Sequence, residues 1–142
     1  MPYAIERVDV FTGCIDDKPG ALAAMLAPLA EAKVCLQFLL ARRNQPGRGV
    51  VFAAPIKGAA AARAAQKAGL CKDATIAALR VEGPDKAGLG VLVTQAIAAA
   101  GINLRGISAL AARKKAVLCI ALDSAADAAK ARAVLKKVLG TK

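Results

Sequence analysis

Two short segments of the chain carry the same set of reactive groups. Asp17-Lys18-Pro19-Gly20-Ala21 and Asp85-Lys86-Ala87-Gly88-Leu89 stand 68 positions apart, and each runs into an Ala- and Leu-rich stretch. A carboxylate, an ammonium group and a glycine turn at the head of a helix suit the recognition of a small zwitterion. Free N–H groups at a helix start attract a carboxylate. The aspartate accepts an ammonium group or caps the helix, and glycine permits the sharp turn. After the second segment come Asn103 and Arg105, where the first copy has Cys35 and Gln37. Asn offers both a donor and an acceptor, and Arg is a bidentate carboxylate partner. Two residues apart on a strand, their side chains leave the same face. The candidate ligand-binding residues are therefore Asp85, Lys86, Ala87, Gly88, Leu89, Asn103 and Arg105. Asp17, Lys18, Pro19, Gly20 and Ala21 form the equivalent turn in the first copy. The same residues also fit plain structural roles: turn glycines, capping aspartates, a strand-start Asn and a solvated Arg.

Catalysis is a poor fit. There is no His, hence no imidazole base, and no Ser/Lys or Cys/His arrangement; Asp16 and Asp17 are neighbours whose side chains should diverge. No catalytic residue and no cofactor are expected. Cys14, Cys35, Cys71 and Cys119 are widely spaced with no CxxC, so no metal site is expected. Cys14 and Cys119 lie in apolar stretches and read as buried small hydrophobes.

The elements that must position the two turns can be read from hydrophobic periodicity. Ile5 to Ile15 reads as one strand, with Val8 and Val10 on its exposed parity. A helix follows from Ala21 to about Ala32, with Leu22, Met25, Leu26 and Leu29 on one stripe and Pro28 inside it, where a bend is expected. Val34 to Ala41 and Val50 to Ile56 read as strands around a loop at 42–49. Gly58 opens an Ala-rich helix that Gly69 closes, and Cys71 to Thr75 is a short strand or a linker. The order then repeats. Ile76–Glu82 is a strand and Leu89–Ala100 a helix closed by Gly101. Ile102–Ala111 and Ala116–Leu122 are strands joined through Arg113-Lys114-Lys115. A final helix starts with the capping-box-like Ser124-Ala125-Ala126-Asp127.

A fixed-period echo means one structural unit used twice. The fold class is α+β: two ferredoxin-like (βαββαβ) units in tandem, antiparallel sheets with helices on one face, the second unit lacking a clear final strand. The units are read as residues 1–75 and 76–142. Asp-Lys-Pro-Gly-Ala-Leu, a helix, then Gly-Ile-Asn-Leu (Gly101 to Leu104) resembles the ACT domain, a small-molecule regulatory module of amino-acid metabolism. Two copies over about residues 5 to 139 resemble the stand-alone tandem ACT proteins. Lys33 in place of Gly101, with Cys35 and Gln37, departs from that pattern in the first copy. The resemblance implies side-by-side pairing of units into a wider sheet and amino-acid binding where units meet. It also implies a non-enzymatic sensor with a regulated enzyme as partner.

The net charge of +11 favours anionic partners without specifying the fold. One alternative is an anion- or RNA-binding module of the same topology, served by the basic tips Arg42-Arg43-Arg48 and Arg113-Lys114-Lys115. Aromatics are only 3% of residues, and Phe11, Phe38 and Phe52 all fall where buried apolar residues are expected, so nucleic acid is disfavoured. Another alternative is a dimerisation scaffold whose ligand site has decayed. The expected partners are a small amino acid or related carboxylate and a second copy of the chain. No secretory signal is visible at Met1-Pro2-Tyr3 and no apolar run is long enough to span a bilayer, so a cytoplasmic protein without membrane contact is expected.

Overall fold

The computed structural model describes residues 3–140. Strands β1 (Ala4–Val8) and β2 (Phe11–Asp16) come first, followed by α1 (Ala21–Glu31). Then come β3 (Phe38–Gln45), β4 (Arg48–Ala54), α2 (Ala59–Ala68) and β5 (Cys71–Lys72). The rest is β6 (Ala77–Pro84), α3 (Leu89–Ala99), β7 (Gly106–Ala112), β8 (Lys115–Leu122) and α4 (Ala125–Leu139). Two four-stranded antiparallel sheets result, ordered β3-β4-β2-β5 and β1-β6-β8-β7.

The stretch read as one strand, Ile5 to Ile15, is two strands in two different sheets. β2 pairs with β4 and β5, whereas β1 pairs with β6, Ala4 opposite Glu82 through Val8 opposite Ala78. The chain accordingly divides into residues 9–73 and a unit made of 1–8 with 74–142. The physical reason lies at the other end of the chain. Among the described residues no strand follows α4. The open edge of β6 therefore offers unpaired N–H and C=O groups, and β1 covers them. Arg132 Nε on α4 also donates to Ile5 O at 3.1 Å. Val10 is buried rather than exposed.

Three other boundaries move. β3 starts at Phe38, not Val34, and runs to Gln45, so the loop at 42–49 shrinks to a turn at Pro46-Gly47. β7 starts at Gly106, not Ile102, and β5 is only Cys71–Lys72. Cys14 is exposed and Cys119 only half-buried, because both lie on the sheet faces turned away from the helices. Their cross-strand partners there are Val50, Ser108 and Arg80.

The two cores differ in size. In the C-terminal unit Leu79, Val81, Val93, Ile97, Leu118, Ile120, Leu122 and Leu135 are enclosed together. In the N-terminal unit Met25, Leu29, Val51 and Leu70 pack with Ala64 and Ala65. α2 buries only alanines, whereas α4 adds Leu135 and Leu139 to its own, and small side chains bury little apolar area.

Candidate functional site

Both predicted turns form, and they form alike. Gly20 and Gly88 stand at the heads of α1 and α3 with φ +85°, a left-handed conformation that favours glycine. A Cβ would meet nothing at either position, so conformation rather than crowding calls for glycine here. Neither helix has a side-chain cap, and Asp17 and Asp85 do not serve as caps. The first amide of each helix stays within the turn, Ala21 N donating to Lys18 O (3.3 Å) and Leu89 N to Lys86 O (3.2 Å), and the helix start has no side-chain cap. In both units the turn is tied to the neighbouring hairpin tip. Asp17 N donates to Gly47 O (3.0 Å), and Asp85 N donates to Lys114 O (2.8 Å).

The aspartates then part company. Arg43 Nε donates to Asp17 Oδ2, and this bonded carboxylate raises the pKa of Arg43. Asp16↔Arg48, Arg43↔Gly49 and the matching pairs Pro84↔Lys115, Ala111↔Ala116 put Ala111 where Arg43 stands. Asp85 is exposed and has no ion-pair partner among the described residues. Lys86, Ala87 and Gly88 are exposed beside it, while Leu89 is buried and anchors α3 in the core. In the first turn Lys18, Pro19 and Gly20 are exposed and Ala21 half-buried.

Asn103 and Arg105 are elsewhere. They precede β7 and do not lie on a strand. Gly106 pairs with Ala121, level with Ala78, whereas the turn leaves the sheet after Pro84, level with Lys115 and Ala112. Ala77 to Pro84 spans about 24 Å at roughly 3.4 Å per residue, so the two groups occupy opposite ends of one sheet. Asn103 is exposed. Arg105 is engaged within the fold, its Nη1 donating to Thr75 O (2.8 Å) and Thr75 Oγ1 (3.0 Å). Its amide donates to Ala121 O, as that of Gln37 does to Ala54 O.

Near the second turn, Glu82 accepts from Arg80 Nη1 at 3.1 Å, with Lys115 Nζ at 3.5 Å from its other oxygen. The Arg80 hydrogen bond holds the Glu82 carboxyl below its ordinary value against the opposing effect of burial, with help from the Arg80 and Lys115 charges. Burial pushes the Cys119 thiol up, against the nearby Arg80 charge. Among the described residues no group of His, Cys, Asp and Glu could hold a metal ion. Among the described residues no helix is long and apolar enough to cross a membrane.

No protein-family model and no curated protein match the chain. Solved structures do. Protein BT0572 from Bacteroides thetaiotaomicron aligns with a TM-score of 0.75 at 19% identity, over 95% of this chain and 89% of that one. The regulatory subunit of aspartate kinase from Thermus thermophilus, in its ligand-free form, aligns with a TM-score of 0.65 at 17% identity, over 96% of both chains. The fold is the tandem ACT fold. Aspartate kinase from Clostridium acetobutylicum aligns with a TM-score of 0.63 at 9% identity, covering 96% of this chain and 34% of that one. This chain therefore matches about a third of that enzyme.

Sequence reading missed Tyr3. It is buried, and its hydroxyl donates to Pro84 O at 2.7 Å, immediately before the second turn. The available signal was Gly83, a strand glycine, which often marks a close approach by another group. The reading of the aromatics also changes. Leu40 lies opposite Phe52, and Phe38 opposite Ala54, so Phe38 and Phe52 share the sheet face turned away from α1 and α2. Both are half-buried.

Proposed function

We propose that the chain is a non-enzymatic regulatory protein that binds an amino acid or related small carboxylate and works as a homodimer. The observation that carries this reading is the Asp85–Leu89 turn. An aspartate without an ion-pair partner stands beside a helix start with no side-chain cap, offering one group for an ammonium and another for a carboxylate. The likeness of the whole chain to an aspartate kinase regulatory subunit supports a regulatory role. Four free thiols suit a reducing cytoplasm.

Dimerisation also answers the separation of the two ends of the sheet. β7 is an edge strand with Ile107 44% and Leu110 73% exposed, and an unpaired apolar edge invites another strand. A two-fold contact pairs the same strand in both copies, antiparallel. Asn103 of one copy then comes to the end of the sheet that carries the turn of the other. Calorimetric titration with each of the twenty amino acids tests the site, and Asn103→Ala should weaken binding by about 1–3 kcal/mol. Unchanged affinity removes Asn103 from the site. Sedimentation at micromolar concentration showing only a 14.4 kDa species counts against the dimer.

A second reading is favoured by Phe38 and Phe52, which share one sheet face with Arg42. Aromatic side chains beside a cation on a sheet suit single-stranded nucleic acid. The aromatics are few, and the amino-acid reading is preferred. Saturable binding of single-stranded RNA at physiological salt, lost on changing Arg42, Arg43, Lys114 and Lys115 to Ala, would promote the second reading.

A further inference from the structure

We propose that Tyr3 is the positioning residue of the Asp85–Leu89 turn, so that the N-terminal strand and the ligand turn move as one piece. The importance of that turn rests on the function proposed above; the placement of Tyr3 does not.

Three observations converge. First, Tyr3 is only 5% exposed and forms part of the C-terminal core. Second, a Cβ on Gly83 would lie 2.2 Å from Cδ2 of the Tyr3 ring and 2.6 Å from Cε2. The ring is seated against the backbone of Gly83, and any larger residue there would displace it. Third, one peptide unit is held at both ends. The carbonyl of Pro84 accepts from Tyr3 at 2.7 Å, and the N–H of Asp85, on the other side of the same peptide bond, donates to Lys114 O at 2.8 Å. Rotating that peptide is the simplest way to re-aim Asp85, and it would break both bonds.

The matching peptide of the N-terminal unit is held differently. Asp17 N donates to Gly47 O, and Asp16 O accepts from Lys18 N, two residues on in the same turn, rather than from a side chain of another strand. β5 lies beside β2 only at Phe11 and Thr12, too far back along β2 to place a side chain over Ile15. The aromatic seat thus belongs to the turn whose aspartate is left unpaired, where orientation matters most for a ligand. Val8 is followed by Asp9, the first residue of the other unit, so the strand that follows Tyr3 is also the covalent lead into that unit.

Tyr3 is the only tyrosine and there is no tryptophan, so intrinsic emission of the full chain reports this residue alone. Two measurements on the full chain decide the proposal. In the first, without ligand, amide exchange is compared between wild type and Tyr3→Phe, which keeps the ring and removes the hydroxyl. Exchange at residues 85–89 should rise about fivefold, equivalent to one lost net hydrogen bond, with residues 118–122 of β8 unchanged. Unchanged exchange at the turn, or an equal rise throughout the unit, overturns the positioning role. In the second, the twenty amino acids are titrated singly while melting temperature and tyrosine emission are followed. An amino acid that changes both over the same concentration range, and binds Tyr3→Phe about fivefold more weakly, supports the coupling. One that raises the melting temperature with emission and Tyr3→Phe affinity unchanged overturns the coupling and leaves ligand binding standing. If no amino acid acts, the ligand reading falls and the exchange result alone decides the role of Tyr3.

Discussion

The N-terminal turn and the C-terminal turn have the same backbone and opposite chemistry. Gly20 and Gly88 share one conformation, yet Arg43 binds Asp17 while Ala111 leaves Asp85 alone. The first turn spends its carboxylate on its own fold. The second keeps it and is steadied instead by an aromatic ring that makes no use of the aspartate. A repeated unit therefore need not repeat a function: the helix-start turn is retained by its glycine geometry, and the residues around it decide whether its charge is available. The cores follow the same division, with the larger one beneath the free turn.

The comparison can be broken or sharpened by substitution, starting with the greatest effect. Leu135 is fully enclosed, and Leu135→Ala should lower stability by about 2–5 kcal/mol in urea denaturation through lost burial and a cavity. A loss well under 1 kcal/mol would mean the larger core is not the stronger one. Gly13 in β2 matches Val81 in β6, and a Cβ there would lie 2.7 Å from Gly69 O and 3.0 Å from Met25 Cε. Gly13→Ala should lower stability by roughly 1–3 kcal/mol by overpacking; no measurable loss would show the smaller core to be slack.

The residues after α1 and α3 provide a reciprocal pair. Lys33 holds φ +59° where Gly101 holds φ +76°, and a left-handed conformation costs a non-glycine residue about 1 kcal/mol. Lys33→Gly should raise stability by about that amount and Gly101→Ala should reduce it similarly, both read as shifts in denaturation midpoint. The smallest effect concerns pH. The Glu82 carboxyl sits below its ordinary value of 4.5 in the folded chain. Its contribution is therefore present above that value and lost as pH falls through the lower folded value. The melting temperature of Glu82→Gln should fall less steeply below about pH 4.5 than that of wild type; parallel curves would show that the Arg80–Glu82–Lys115 cluster contributes nothing specific to stability.

The sequence by itself determined the doubled unit, the order of its helices and most of its strands, the turn glycines at both helix starts, and the Ser124 cap, whose Oγ accepts from Asp127 N at 3.0 Å. These are local properties: a turn glycine, a cap and a hydrophobic period each act within a few residues and leave a mark that a reader can find. Tertiary structure alone decided that Ala4–Val8 completes the C-terminal sheet, that Arg43 occupies Asp17, that Tyr3 rests on Gly83, and that Asn103 and Arg105 stand at the far end of the sheet from Asp85. An open sheet edge requires only backbone N–H and C=O groups, which every strand carries. Nothing in the composition of Ile5 to Ile15 therefore says which edge each half will join. That choice is made by the free edge of β6, in a unit that begins some seventy residues later, and a dependence at that distance has no period to betray it.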